Sequence, residues 1–134
     1  MLHILLVEDH AADVMLVREA LRTSPIAADV IIAYDGEQAM KFLFELNYKP
    51  DFILLDLNMP KFDGFAVLER HRAKGGAPVI VLTSSQNPPD KRRALELGAR
   101  DYVVKPAGLR PFIAAIHGIL ERWSGETASP IAVV

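Results

Sequence analysis

Cysteine is absent from the sequence. Its absence removes disulfides, thiolate zinc sites and thiol nucleophiles, and is compatible with a reducing cytoplasm. Neither sign of charge dominates: 15 Lys and Arg stand against 17 Asp and Glu, a formal net charge of -2 with histidine neutral. A nucleic-acid surface is therefore not expected to be the main business of the chain. No apolar run approaches the length of a membrane span. Met1-Leu2-His3 leads straight into an apolar segment with no charged n-region or cleavage site, so neither membrane association nor a signal peptide is expected. Internal repeats and linkers are lacking as well. What remains is 134 residues of globular composition, 51% hydrophobic and 24% charged, enough for one domain with one core.

Short apolar runs carry the organisation. His3 to Val7, Ala28 to Ala33, Asp51 to Asp56, Pro78 to Leu82 and Tyr102 to Val104 read as strands. Helical spacing lies between them. Val14, Leu16, Val17, Ala20 and Leu21 mark the first helix, and Ala39, Met40, Leu43, Phe44 and Leu46 the second. Phe65, Val67 and Leu68 follow Asp63-Gly64 in a third, and Pro88-Pro89 opens a fourth, since proline is tolerated in a first turn. Phe112, Ile113, Ile116, Ile119 and Leu120 give the last, ending at Trp123. Five strands alternating with five helices imply right-handed crossovers and a parallel sheet covered on both faces. The second strand starts polar, which places it at an edge. The expected architecture is the flavodoxin-like (βα)5 sandwich with strand order 2-1-3-4-5.

The strand ends carry the chemistry. Asp51-Phe52-Ile53-Leu54-Leu55-Asp56 is a doubly buried strand that runs into a carboxylate, and Asn58-Met59-Pro60 stops it. Alone, Asp56 reads as a turn residue or a helix cap. Three other runs change that reading, because they end in Glu8-Asp9, Thr83-Ser84 and Lys105-Pro106, and parallel strands bring such ends to one edge. With the first and third strands adjacent, Glu8, Asp9 and Asp56 share a small volume. Like charges about 4 Å apart repel by roughly 4 kcal/mol at an effective dielectric of about 20, so something positive must join them. Oxygen-only ligands favour a hard cation, and Mg2+ suits an open carboxylate cluster. Lys105 ends the fifth strand and aims at the same edge. A metal, a lysine and a hydroxyl from Thr83 or its neighbour around one carboxylate form a receptacle for a transferred phosphoryl group, with Asp56 as nucleophile.

These residues, in this order on alternating βα units, resemble the receiver domain of two-component response regulators. The resemblance rests on Glu8-Asp9, Asp56-Leu57-Asn58-Met59-Pro60, Asp63-Gly64, Thr83-Ser84 and Lys105-Pro106, and covers residues 2 to 123. It implies that Asp56 accepts a phosphoryl group from the phosphohistidine of a histidine kinase. It implies that Asp9, Asp56 and the backbone carbonyl of Asn58 hold Mg2+, with Glu8 acting through water. Lys105 would contact the phosphoryl group, and its bond to Pro106 would be cis. Thr83 would turn inward and Tyr102 follow it, so that phosphorylation selects between two packings. No substrate turnover is implied, only self-catalysed phosphorylation and dephosphorylation.

Within that family, Asp56 to Lys61, Leu82-Thr83-Ser84-Ser85-Gln86, the helix end at Trp123 and the apolar C-terminus most resemble stand-alone receivers paired with bacterial phytochrome-type kinases. Residues 124–134 read either as a frayed tail or as an arm laid against a second subunit in a homodimer. A fragment of a longer regulator is the competing view. A phosphatase of the haloacid dehalogenase type also uses a strand-end aspartate, but wants a second carboxylate two residues on, where Asn58 stands. Two departures from the family pattern are notable. Pro106-Ala107-Gly108 lacks an aromatic after the proline, and Lys91-Arg92-Arg93 with Arg100 makes the fourth helix basic.

Overall fold

A computed structural model describes residues 1–59 and 63–128, without the side chains of 125–128. Its elements are β1 (Leu2–Val7), α1 (Ala11–Thr23), β2 (Ala28–Ala33), α2 (Gly36–Met40), β3 (Phe52–Leu55), α3 (Gly64–Lys74), β4 (Val79–Thr83), α4 (Pro88–Glu96), β5 (Asp101–Val104) and α5 (Leu109–Ala128). The strands form one parallel sheet in the order β2-β1-β3-β4-β5. This is the flavodoxin-like arrangement expected above, with the polar-starting β2 at an edge.

The strand sequences explain the layering. Alternate side chains of a strand point to opposite faces, so a strand covered on both sides must be apolar throughout. Ile4, Leu6, Leu54, Ile80 and Leu82 join Val14, Val17, Phe112, Ile116 and Trp123 in the core under α1 and α5. Leu5, Val7, Ile53, Leu55 and Val81 join Ala39, Leu43, Val67, Leu68 and Ala94 in the core under the other three helices. Every residue of β3 is buried. Local caps start two of the three helices on this second face: the Asp35 carboxylate accepts from the Gln38 N–H at 2.8 Å, and Asp63 accepts from the Ala66 N–H at 2.9 Å.

Three local expectations are corrected. α2 passes into a π-helical turn at Lys41–Glu45. The wider turn shifts the helical phase, so Leu43 is buried while Phe44 and Leu46, expected on the inner face, are exposed. α5 continues past Trp123 to Ala128, because apolar spacing marks only the turns that face the sheet, whereas backbone hydrogen bonds carry the helix on. No cis peptide bond occurs among the described residues, so the Lys105–Pro106 bond is trans, the form favoured by about 0.5–1 kcal/mol at an ordinary proline. Of the tail or dimer arm expected over 124–134, residues 124–128 belong to α5 and 129–134 lie outside the described residues.

Candidate functional site

Strand ladders that run one residue past their strands set the positions of the site groups. Val7 pairs with Leu55 in the β1–β3 register, and the Asp56 N–H donates to the Val7 carbonyl at 3.0 Å. Glu8 is pinned from the other side, its N–H donating to Ala33 at 3.0 Å. At the next pair of strands the Lys105 N–H donates to the Thr83 carbonyl at 2.7 Å. The same ladder that builds the sheet thus fixes two carboxylates and an ammonium around one edge.

A close approach of backbone completes the frame. A Cβ on Gly64 would lie 2.6 Å from the Asp56 carbonyl oxygen and 2.6 Å from the Leu57 Cα. Only glycine lets the start of α3 come this near the loop that carries Asp56, which is the physical reason for glycine after Asp63.

Glu8, Asp9 and Asp56 each offer an oxygen within 4.8 Å of the others. Glu8 is 1% exposed and Asp56 6%, while Asp9 is open to solvent. Asp56 Oδ1 accepts from the Asn58 N–H at 3.2 Å, and Glu8 Oε2 accepts from the His10 N–H at 3.2 Å. Lys105 Nζ donates to Glu8 Oε1 at 2.7 Å and to Asp13 Oδ2 at 2.7 Å, and lies 3.4 Å from Asp56 Oδ2. A cavity of about 610 Å3 opens over the group, lined by Asp9, Asp13, Asp56, Asn58, Ser84 and Lys105 among others.

Charge in this pocket is unbalanced. Among the described residues four carboxyl groups, Glu8, Asp9, Asp13 and Asp56, face the single ammonium of Lys105. Burial pushes the Glu8 carboxyl up to about 7; the hydrogen bond from Lys105 pulls the other way, and the Asp56 charge adds to the rise. For Lys105, burial opposes the charge, but the hydrogen bonds to Asp13 and Glu8 and the charge of Asp56 outweigh it and hold the ammonium above the ordinary lysine range. The two directions agree: the lysine stays charged, and the most buried acid holds its proton more tightly than an ordinary carboxyl, chiefly through burial and with the Asp56 charge adding to it. All the available donors are oxygens, and an oxygen cluster with excess negative charge fits a hard divalent cation.

Of the residues singled out in the sequence, Glu8, Asp9, Asp56 and Lys105 converge, and Asn58 lines the same cavity. Thr83 and Tyr102 do not line it. Thr83 is fully buried, its hydroxyl oxygen accepting from the Ser85 N–H at 3.4 Å. The Tyr102 hydroxyl donates to the Ser85 carbonyl at 3.0 Å, and Ser85 Oγ donates to Asp90 Oδ2 at 2.6 Å. Ser85 therefore ties the threonine, the tyrosine and the start of α4 together. Asp13 went unnoticed in the sequence because it reads as a polar position of an amphipathic helix. Its one signal is its place in the first turn after Glu8-Asp9, on the helix end that faces the same edge.

Comparison with known proteins gives a consistent result. The family model for the response regulator receiver domain matches residues 4–117. The chain is 40% identical to response regulator Rcp1 of Synechocystis over 137 residues, which covers 96% of this chain and 93% of that one. It superposes on the crystal structure of the Mn2+-bound form of Rcp1 with a TM-score of 0.85 at 39% identity, covering 97% of this chain and 99% of the other. The phosphorylated cyanobacterial phytochrome response regulator RcpA gives 0.85 at 38% identity, with 96% of each chain covered. Against the probable transcriptional regulator ycf27 of Porphyridium aerugineum the identity is 40%, and the chain spans 48% of that protein's length.

Proposed function

The chain belongs to the response regulator receiver domain family, and from that premise we propose that Asp56 is its phosphoacceptor, in a Mg2+ site made by Asp9, Asp56 and the Asn58 carbonyl with Glu8 behind them. A receiver accepts a phosphoryl group onto its own aspartate and later loses it to water, so the chemistry is directed at the protein itself. The observation that carries the assignment is the convergence of Glu8, Asp9 and Asp56 within 4.8 Å, with Lys105 in contact with both Glu8 and Asp56.

Asp56 suits the nucleophile's role because its carboxylate is nearly buried yet lines the open cavity. One of its oxygens attacks phosphorus, a new O–P bond forms, and the P–N bond of a phosphohistidine donor breaks with its electron pair leaving on the imidazole. Bound divalent metal supplies charge neutralisation for the phosphoryl oxygens. Lys105 supplies the same from its place beside Asp56, and the Ser84 hydroxyl, on the cavity wall, can donate a hydrogen bond.

The switch belongs to the same reading. Thr83 moves its hydroxyl toward the new phosphoryl oxygens, releasing the Ser85 N–H, and Tyr102 follows through its bond to Ser85. The protein surface near α4 and β5 changes as a result. A phytochrome-type histidine kinase is the proposed donor, supported by the likeness to RcpA and to a response regulator in red light signalling of R. palustris, 30% identical with a TM-score of 0.85. A cytoplasmic setting accompanies such a donor; no helix among the described residues is long and apolar enough to cross a membrane.

Incubation with acetyl phosphate and Mg2+, followed by intact-mass spectrometry, tests the assignment. Wild type should gain one phosphoryl group, and Asp56→Asn should gain none. Equal labelling of the two proteins would place the acceptor elsewhere.

A further inference from the structure

Lys105 contacts three carboxylates, and its longest contact is to the one it is meant to serve. Its ammonium sits 2.7 Å from Glu8 and 2.7 Å from Asp13 but 3.4 Å from Asp56. Asp13 is not one of the three acids whose oxygens converge for a metal. It stands on the ammonium's side of the pocket, in the first turn of α1, where the helix favours a negative charge. His10 Nδ1 approaches the same Asp13 oxygen at 3.3 Å from the solvent side, and the Asp13 side chain is itself only 19% exposed. The carboxylate is thus fixed between a histidine and Lys105, and its anchor is the backbone of α1 rather than the sheet.

We propose that Asp13 is a positioning residue that draws Lys105 toward α1 and lengthens its contact with Asp56, and so sets how readily the ammonium passes to an arriving phosphoryl group. The proposal rests on the receiver reading of Asp56. A phosphoryl group brings up to two negative charges and three strong acceptor oxygens to Asp56. To meet them, Lys105 must loosen its bonds to Asp13 and Glu8. The bond to Asp13 is short and charge-assisted, the stronger class of hydrogen bond, and its loss opposes the movement. Asp13 therefore acts as a brake on phosphoryl acceptance, located in α1.

Asp13→Asn keeps the shape and removes the charge. With Mg2+ and acetyl phosphate, its phosphorylation rate at saturating donor should rise by about three- to tenfold, the size expected when a charge-assisted hydrogen bond is reduced to an ordinary one. The donor concentration for half-saturation should stay within about twofold, since Asp13 acts on the transfer step rather than on donor capture. Asp13→Glu, which restores the charge, should return the rate to about the wild-type value. In a Lys105→Met background the same Asn substitution should change nothing, because the residue works through the lysine. A rate unchanged or lowered in Asp13→Asn overturns the proposal, as does the same gain without Lys105. Should Lys105→Met fail to fold, the carbon-13 signal of Lys105 Cε decides: a shift between wild type and Asp13→Asn supports the brake, and an unmoved signal rejects it. If wild type takes no phosphoryl group at all, it is the receiver assignment of Asp56 that falls.

Discussion

The two ends of the parallel sheet carry the same kinds of side chain and treat them in opposite ways. At the amino end, His3 Nδ1 meets Asp29 Oδ1 at 2.8 Å, with both side chains 53% exposed, and Arg122 pairs with Asp101 at the start of β5. Each of these two acids has a basic side chain of its own, and water reaches both partners. At the carboxyl end, Glu8, Asp9, Asp13 and Asp56 share Lys105, and three of the five are almost closed off from solvent. Pairs of the first kind contribute about 0–1 kcal/mol each, because water would solvate the separated ions almost as well. The second kind cannot relax into water and is left with excess negative charge. The chain thus concentrates electrostatic strain at the end where a divalent cation and Lys105 can relieve it, and leaves the acids of the other end open to water.

The largest effect should come from removing the cation of the crowded end. Lys105→Met leaves buried carboxylates facing one another with nothing positive among the described residues. In metal-free solution at pH 7.5 it should lower the unfolding free energy by about 3–5 kcal/mol, the range for deleting one partner of a buried ion pair. Chemical denaturation followed by circular dichroism measures this. The loss should shrink when Mg2+ is added. A metal-insensitive loss of the same size would mean that the lysine stem, not its charge, matters.

The contrast between the ends was only half legible in the sequence. Glu8, Asp56 and Lys105 could be read because each follows an apolar run, most plainly Asp56, since a strand buried throughout as β3 is admits no other composition. The ladder bonds that place them continue the strands without interruption. Asp13 could not be read, since it lies 92 residues from Lys105 and nothing in helical spacing distinguishes an acid facing a pocket from one facing water. The exposed Phe44 and Leu46 were misread for a related reason. A π-helical turn adds a residue to the period, and no local signal at Lys41–Glu45 announces it. The trans bond before Pro106 departs from what the family resemblance implied, and neither isomer is written in the residues themselves.

A smaller effect should follow from pH at the crowded end. Glu8 is pushed up to about 7 in the folded chain, from 4.5 as the ordinary value. The folded state then holds this proton more tightly than the unfolded state does. The resulting stabilisation is complete below about pH 4.5 and is lost as pH rises through about 7. Between those limits the metal-free protein should lose stability on the order of 2 kcal/mol through this group. Glu8→Gln, which cannot titrate, should flatten that part of the profile, and Mg2+ should raise the alkaline side by favouring the ionised carboxyl. Denaturant midpoints from pH 4.5 to 8, with and without metal, decide the matter: a wild-type slope that survives in Glu8→Gln assigns the proton to another group.

The smallest effect is expected at the amino end, and its smallness is the point. Asp29→Asn removes the partner of His3 where both are half exposed and His3 keeps a second contact, its N–H donating to Asp51 Oδ2 at 2.7 Å. Unfolding free energy should change by less than about 0.5 kcal/mol at pH 7. The phosphoryl acceptance rate should be unaltered, because β1 and β2 are held by their ladder from Leu2↔Ala28 to Val7↔Ala33 and not by this pair. A loss of 2 kcal/mol or more here would show that exposure does not separate the two ends. The excess of acids around Lys105 would then have to distinguish them by charge balance alone.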